Sequence, residues 1–305
     1  MLEFVTKTIN GELAGCVMKK ITLAIVAVGA FMGTPALAAD MAVKAPPPPP
    51  GCAVNDIVKA NNQLSVDFAA TYIQYGPEYQ TGGGPLDSET GWVPGGSVTG
   101  SVMRTFAGVC DVYLMGRLTV VDGSTHYWAS SGPVLSNTDG AMVMDLDFRV
   151  GKGFALNPNL MLTPYLGLGS NLWVRRLTGP SGYNEDYSHD YAGGGLLVQY
   201  SPAPRWVLSV DGLIGEAFNS SMTASLTPGG FALPAPLMTF TLGNRPVYMA
   251  GASVDYAVTE QWHVNAGIDY VQFSYGQSAV NGFGYLEPNS STSYVTVSVG
   301  GGYHW

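Results

Sequence analysis

The chain has 305 residues, of which only 11% are charged, and its formal net charge is −9. Soluble domains typically have roughly 25% charged residues, and a negative chain is a poor partner for nucleic acid, which binds basic surfaces. After residue 50 there is no uninterrupted apolar run of the roughly 18 residues that a transmembrane helix needs. Low charge without such runs favours a β-barrel over a helical membrane bundle or an ordinary soluble enzyme.

Residues 1–38 have the three parts of an export signal. Residues 18–20 include two lysines, residues 21–32 form an apolar core, and residues 36–38 read Ala-Leu-Ala, the small-residue pattern of a cleavage site. We therefore predict that residues 1–38 are removed on export. Residues 1–17 precede the signal proper, as expected if translation starts after them.

Residues 39–62 are predicted to form a proline-rich tether in the periplasm. Within them, residues 45–51 read Ala-Pro-Pro-Pro-Pro-Pro-Gly. Consecutive prolines favour a stiff, extended polyproline segment over a strand. The barrel would then occupy residues 63–305.

The rest of the chain alternates apolar with small or polar side chains at a period of two, which is typical of strands with different surroundings on their two faces. The predicted strands are residues 63–75, 97–106, 112–128, 141–153, 160–176, 191–200, 206–218, 246–258, 262–275 and 294–305. This pattern predicts an all-β fold: a closed antiparallel transmembrane β-barrel of about ten strands, within a range of eight to twelve.

The connections between these strands alternate between long and short. Those after odd-numbered strands span 12 to 27 residues, and those after even-numbered strands span 3 to 6. Bacterial outer-membrane barrels have long extracellular loops and short periplasmic turns. The alternation therefore predicts an outer-membrane location, with long loops outside the cell and both termini in the periplasm.

The last strand carries the most specific signal in the chain. One face of residues 294–305 presents the side chains of Val295, Val297, Val299, Tyr303 and Trp305, and the other is small or polar. It resembles the C-terminal signature strand of bacterial outer-membrane β-barrel proteins, and residues 38–50 resemble the mature N-termini of α-proteobacterial members. The resemblance implies outer-membrane lipid and lipopolysaccharide as surroundings. It also implies that the barrel-assembly machinery reads Tyr303 and Trp305.

Aromatic residues occur where a membrane-interface belt would need them. At the predicted periplasmic strand ends these are Tyr200, Trp206, Tyr256, Trp262, Tyr303 and Trp305. Tyr72, Tyr248 and Tyr270 approach the outer end.

Charged side chains on the predicted inner face are the candidate functional residues. They are Asp67, Arg117, Asp145, Asp147, Arg149, Asp211, Asp255 and Asp269. A narrow interior requires these groups to pair or to stay hydrated. One interpretation is a network that fills and rigidifies the barrel. The other is a narrow, cation-preferring pore for small cationic solutes, because rings of carboxylates favour cations.

An enzyme is the alternative hypothesis. The polar loop predicted over residues 177–190 supplies Glu185, Asp186, His189 and Asp190. A His beside carboxylates can act as a general base, and ten strands with acidic loops resemble the omptin outer-membrane proteases. The matching Asp pair is absent from the outer rim, and His263 and His304 fall at the opposite end. We therefore predict no catalytic residues, no cofactor and no metal, with an omptin-like rim hydrolase as the alternative.

Two features near the strand ends complete the sequence-based expectations. Residues 86–95 (LDSETGWVPG) are similar to stretches of other proteobacterial barrels, and are expected to form either a loop that covers the pore or a plain extracellular hairpin. Cys52 and Cys110 fall close together in the predicted topology. Since the periplasm is oxidising, they form a disulfide or remain two unrelated thiols.

Overall fold

The computed structural model describes residues 55–77, 87–129, 139–177, 183–225, 237–282 and 284–305. The export signal, the polyproline stretch and Cys52 lie outside these residues. In the part that is described, no helix is long and apolar enough to cross a membrane.

One short helix and twelve strands make up the described chain. The helix, α1, spans Asp56–Ala60. The strands are β1 Gln63–Pro77, β2 Asp87–Phe106, β3 Val109–Ala129, β4 Asp139–Lys152, β5 Phe154–Asn157, β6 Leu160–Arg176, β7 Asn184–Tyr200, β8 Trp206–Ser225, β9 Leu237–Thr241, β10 Arg245–Ala257, β11 Trp262–Tyr275 and β12 Ser290–His304.

Ten of the strands form a closed antiparallel ring. The order is β1-β2-β3-β4-β6-β7-β8-β10-β11-β12, and β12 pairs back onto β1. β5 pairs only with β6, and β9 only with β8. The prediction of a closed antiparallel ten-stranded barrel is therefore confirmed.

The first and last strands pair antiparallel and close the ring. Phe68 is paired with Val299, and Tyr72 with Val295. Phe68 and Val299 are among the most exposed apolar side chains of the molecule. These partners share the outer face of the barrel, as their alternation predicts.

Several strands extend beyond the predicted bounds. β2 begins at Asp87 instead of residue 97, so residues 87–95 are strand and not a loop or a pore cover. β7 begins at Asn184 instead of residue 191, so residues 184–190 are strand and not loop. Each extension carries a charged residue on its inner face, Glu89 in β2 and Glu185 in β7, and pairing of these charges inside the barrel replaces the apolar alternation that the sequence prediction required.

The outer face carries rings of aromatic residues near both ends of the barrel. At the end where β1 begins and β12 ends, here called the terminal end, Trp206 packs on Tyr256 with ring centroids 4.6 Å apart. Towards the opposite end, here called the distal end, Tyr72 packs on Trp92 at 5.4 Å. Trp92 lies in the stretch that had been predicted as a loop.

Helix α1 lies inside the predicted tether segment and was not anticipated. Asn55 caps it, accepting a hydrogen bond from the backbone N–H of Val58 at 2.9 Å. Ile57 is completely buried, in a cluster with side chains from five different strands. Those partners are Met103, Tyr113, Met115, Met161, Tyr165, Leu197, Val207 and Leu213. The helix therefore packs into the interior of the barrel.

Candidate functional site in the barrel interior

The middle of the barrel is crossed by an ion-pair network centred on Arg149 of β4. Its Nε donates to Asp147 Oδ2 at 2.8 Å and its Nη1 donates to Asp211 Oδ2 at 2.8 Å. Tyr165 also donates to Asp211, at 3.2 Å. Because β6 and β7 lie between β4 and β8 in the ring, the Arg149–Asp211 contact spans the interior.

A second ion pair crosses the interior in another direction. Nη1 of Arg117 on β3 lies 3.2 Å from Asp269 Oδ2 on β11. Three strands separate β3 from β11 along the shorter path around the ring. Together the two guanidinium groups join walls of the barrel that are not neighbours.

The remaining sequence-predicted charges are also placed inside. Asp67 accepts a hydrogen bond from Ser97 at 3.2 Å, and Asp145 accepts one from Asn171 at 3.3 Å. Asp67, Arg117, Arg149, Asp211, Asp255 and Asp269 line a cavity of about 130 Å³. Asp145 and Asp147 line a neighbouring cavity of about 70 Å³. The structure thus brings all eight residues to two cavities in the barrel interior.

Closer to the distal end, a second arginine is buried among carboxylates. Nε of Arg175 donates to Glu89 Oε2 at 2.6 Å, and Nη1 is paired with Glu185. Arg175 is 2% exposed and Glu89 0%. The guanidinium lies over the ring of Tyr75, 4.5 Å from its centroid. This cluster occupies the interior on the distal side of the central network.

The sequence interpretation missed this cluster because Glu89 and Glu185 had been assigned to loops. A signal was present in the sequence. Glu89, Gly91 and Val93 are spaced two residues apart and continue the series of inward-facing positions of β2. The alternation of β6 puts Arg175 on the inner face and Arg176 on the outer face, but no local pattern identifies Glu89 and Glu185 as the partners of Arg175.

Glu287 enters the same cluster from the connection between β11 and β12. Tyr187 donates to Glu287 Oε1 at 2.7 Å and lies 3.3 Å from Glu185 Oε2. Loss of hydration on burial, together with the nearby carboxylate of Glu185, raises the pKa of Glu287 to about 8. Glu287 therefore holds its proton at neutral pH.

His189, the residue on which the enzyme hypothesis depends, is a strand residue of β7. It is 2% exposed, its Nδ1 lies 2.8 Å from the hydroxyl of Tyr275, and its ring lies 4.6 Å from that of Phe273. Asp186 and Asp190 occupy the opposite face of β7 because alternate residues of a strand point to opposite sides. Asp190 accepts from the side chain of Asn219 at 3.0 Å.

At the terminal end, three strands bring Asp255, His263 and His304 together. One potential ligand atom of each residue lies within 4.8 Å of the others. Sequence reasoning had placed both histidines at this end without joining them, because the lengths of β11 and β12 and the long connection between these strands separate them in the sequence.

Tyr303 and Trp305, the predicted assembly signal, end the last strand on its outer face. The Tyr303 ring packs edge-on against Trp262 at 5.6 Å. The backbone N–H of Trp305 donates to the carbonyl of Asn62 at 3.3 Å. Cys110 is disulfide-bonded, and its pairing with Cys52 stays a prediction because Cys52 lies outside the described residues.

A closed antiparallel barrel with an apolar exterior and charged interior defines the class of transmembrane β-barrels. The outer membrane protease OmpT from Escherichia coli aligns with a TM-score of 0.51 at 11% identity, over 81% of this chain and 98% of that one. The toluene transporter TodX of P. putida gives a TM-score of 0.33 at 10% identity, over 82% and 91%. Ail, the attachment invasion locus protein of Yersinia pestis, gives 0.32 at 10% identity, over 80% and 99%. No protein-family model and no curated protein matches the sequence.

Proposed function

We propose that this chain is an integral outer-membrane β-barrel with a structural role, whose interior is closed to solutes. The observation that carries the proposal is the Arg149 guanidinium held between Asp147 and Asp211 across the lumen. Helix α1 below this level and the Arg175 cluster above it add two further obstructions. An open channel would instead leave its lumenal charges hydrated.

The exposed apolar side chains of the outer face support the membrane location. Phe68, Leu166, Leu168, Val210, Ile214 and Val299 are each more than half exposed. In the outer membrane, lipid and lipopolysaccharide would cover this apolar surface and keep it from water. By the rule of short periplasmic turns, the terminal end faces the periplasm and the distal end faces outward, with Tyr303 and Trp305 read during assembly.

Conductance across a planar lipid bilayer tests the closed interior. We expect the folded wild-type protein to give no stepwise current. Ile57→Asp combined with Arg149→Ala and Arg175→Ala should introduce one, because these changes act on helix α1, on the cross-lumen ion pair and on the Arg175 cluster. Lys59→Ala, which changes an exposed side chain on the same helix, should stay silent.

A narrow cation-preferring pore is the second candidate. Six inner aspartates face only two guanidinium groups around the central cavities, so any current through this path should favour cations. A cation-selective current from the unmodified protein would replace the closed-barrel proposal with this one.

The omptin-like enzyme receives less support, because His189 is buried and a peptide at the rim would not contact it. We expect no cleavage of peptide libraries by the folded protein. Cleavage that is lost in His189→Ala would establish the enzyme instead.

A further inference from the structure

Three neighbouring strands direct one metal-ligating side chain each to the same place at the terminal end. Asp255 lies on β10, His263 on β11 and His304 on β12. In the ladders, His263 is opposite Ala257 on one side and opposite Gly302 on the other. Asp255 is therefore two residues from Ala257, and His304 is two residues from Gly302, the positions directly opposite His263. A displacement of two residues keeps all three side chains on the inner face.

The three side chains are close enough to share one ion. Nδ1 of His263 is hydrogen-bonded to Asp255 Oδ2. Nε2 of His304 lies 3.9 Å from Asp255 Oδ1, and the two imidazole rings have centroids 4.0 Å apart. His263 is 2% exposed and His304 6%. The Nε2 atoms of both histidines are buried and have no hydrogen-bond partner.

The outer contacts of His304 prepare its Nε2 to be a ligand. Nδ1 of His304 lies 2.8 Å from the carbonyl oxygen of Lys59. A carbonyl only accepts hydrogen bonds, so Nδ1 carries the hydrogen and the neutral ring presents its lone pair at Nε2. A backbone carbonyl on the second ring nitrogen is the usual support of a metal-bound histidine.

Gly302 provides the space for the other ring. A Cβ at this position would lie 2.6 Å from Nε2 of His263. The absence of a side chain here is what allows His263 to occupy the inner face beside His304.

We propose that Asp255, His263 and His304 form a binding site for a divalent transition-metal ion of the Zn²⁺ type. Two imidazoles and one carboxylate are a donor set that suits Zn²⁺ and its neighbours better than Ca²⁺ or Mg²⁺, which prefer oxygen ligands. Ligand atoms around a tetrahedral ion with bonds of about 2.1 Å are about 3.4 Å apart. Since the ligand atoms lie within 4.8 Å of one another, binding requires them to draw together by up to about 1.4 Å.

A bound ion would tie β10, β11 and β12 together at their terminal ends. It would also act on helix α1, because the same His304 ring holds the carbonyl of Lys59 through Nδ1. This inference does not depend on whether the barrel conducts ions or is closed.

Calorimetric titration of the folded full chain in detergent with ZnCl₂ tests the site, with the cysteines kept oxidised so that thiolates do not compete. We expect one Zn²⁺ per chain. His304→Gln and His263→Gln should each weaken binding by more than the 10- to 100-fold that outer-shell partners typically contribute. His126→Gln, which changes a histidine on β3 at the distal end, should bind as the wild type does.

A second measurement does not depend on how well the variants fold. Co²⁺ added to the wild-type protein should give the visible absorption of a tetrahedral histidine- and carboxylate-ligated ion, and Zn²⁺ should remove it. Absence of stoichiometric Zn²⁺ binding by the wild-type protein overturns the proposal. So does binding of undiminished affinity in the folded His263→Gln/His304→Gln double variant.

Discussion

Arg175 on β6 donates its Nε hydrogen to Glu89 on β2 at 2.6 Å, across 86 residues of sequence and past the two strands that separate them in the ring. The contact joins parts of the wall that share no backbone hydrogen bonds. The same guanidinium is also paired with Glu185, so one positive charge balances two buried carboxylates.

Removal of this guanidinium should strongly destabilise the barrel. Arg175→Met leaves two buried carboxylates without their cation, and breaking a buried pair in this way typically costs about 3–5 kcal/mol. Arg176→Met is the matched control, because its pair with Asp122 is 3.5 Å long and largely exposed, and such pairs contribute about 0–1 kcal/mol. Urea-induced unfolding in lipid vesicles measures both. Equal losses in the two variants would contradict a buried anchoring role for Arg175.

Glu287 should make the stability of the barrel depend on pH. Its pKa is about 8 in the folded protein against an ordinary 4.5, so between these values the folded state binds more protons than the unfolded state. The free energy of unfolding should therefore fall as the pH rises from about 4.5 to 8, by up to about 1.4 kcal/mol per pH unit for one group.

Unfolding curves at a series of pH values test this expectation. Glu287→Gln should flatten the dependence over that interval, since glutamine cannot lose a proton. Glu260→Gln, in an exposed turn at the terminal end, should leave the slope of the wild type. A slope that Glu287→Gln does not change would assign the pH dependence to other groups.

The three consecutive glycines of β7 should differ sharply in their tolerance of alanine. A Cβ at Gly195 would run into the ring of Tyr165 and approach the carbonyl oxygen of Gly212 to 2.5 Å, whereas a Cβ at Gly194 would meet nothing within 4 Å. Gly195→Ala should cost about 1–3 kcal/mol through overpacking. Gly194→Ala should be neutral or stabilise by about 0.4–1 kcal/mol. Thermal unfolding compares the two variants. The folded fraction at each temperature is measured from gel mobility, because the folded barrel and the unfolded chain migrate differently when samples are not boiled before loading.

The lipid-facing assignment of β1 predicts a cost that depends on depth. On β1, Phe68 lies midway between Leu64, which is paired with the aromatic Tyr303, and Tyr72, which is paired with Trp92. Phe68→Arg therefore places a charge near the middle of the membrane and should cost about 2–4 kcal/mol of stability. Phe106→Arg, at the end of β2, should cost about 0–1 kcal/mol. Comparable costs at the two positions would show that Phe68 does not face lipid. Unfolding in vesicles is the measurement.

The sequence was sufficient to predict the ring of ten strands because lipid and lumen impose opposite polarities on successive residues. Val295, Val297 and Val299 alternate with small or polar residues for this reason, and they pair with outward-facing residues of β1. The requirement for alternating apolar residues failed where charged residues face the lumen. It excluded Glu89 from a strand, although Glu89 lies in β2 and its charge is balanced by Arg175, a pairing that only the three-dimensional structure reveals.

Two other features lay beyond what sequence reasoning could find. Helix α1 has only five residues, too few for a helical period to show. The approach of His263 to His304 depends on the register of β11 against β12, which no local pattern of either strand specifies.

The position of α1 sets an order of events during assembly. This helix precedes every strand in the sequence, yet its hydrogen-bonding partners come from far along it: Asn61 bonds to Gln199, and the carbonyl of Lys59 bonds to His304. These contacts therefore cannot form until β7 and β12 have joined the barrel. Burial of Ile57 likewise depends on side chains of β2, β3, β6, β7 and β8, so the core around this helix closes only when those strands stand side by side.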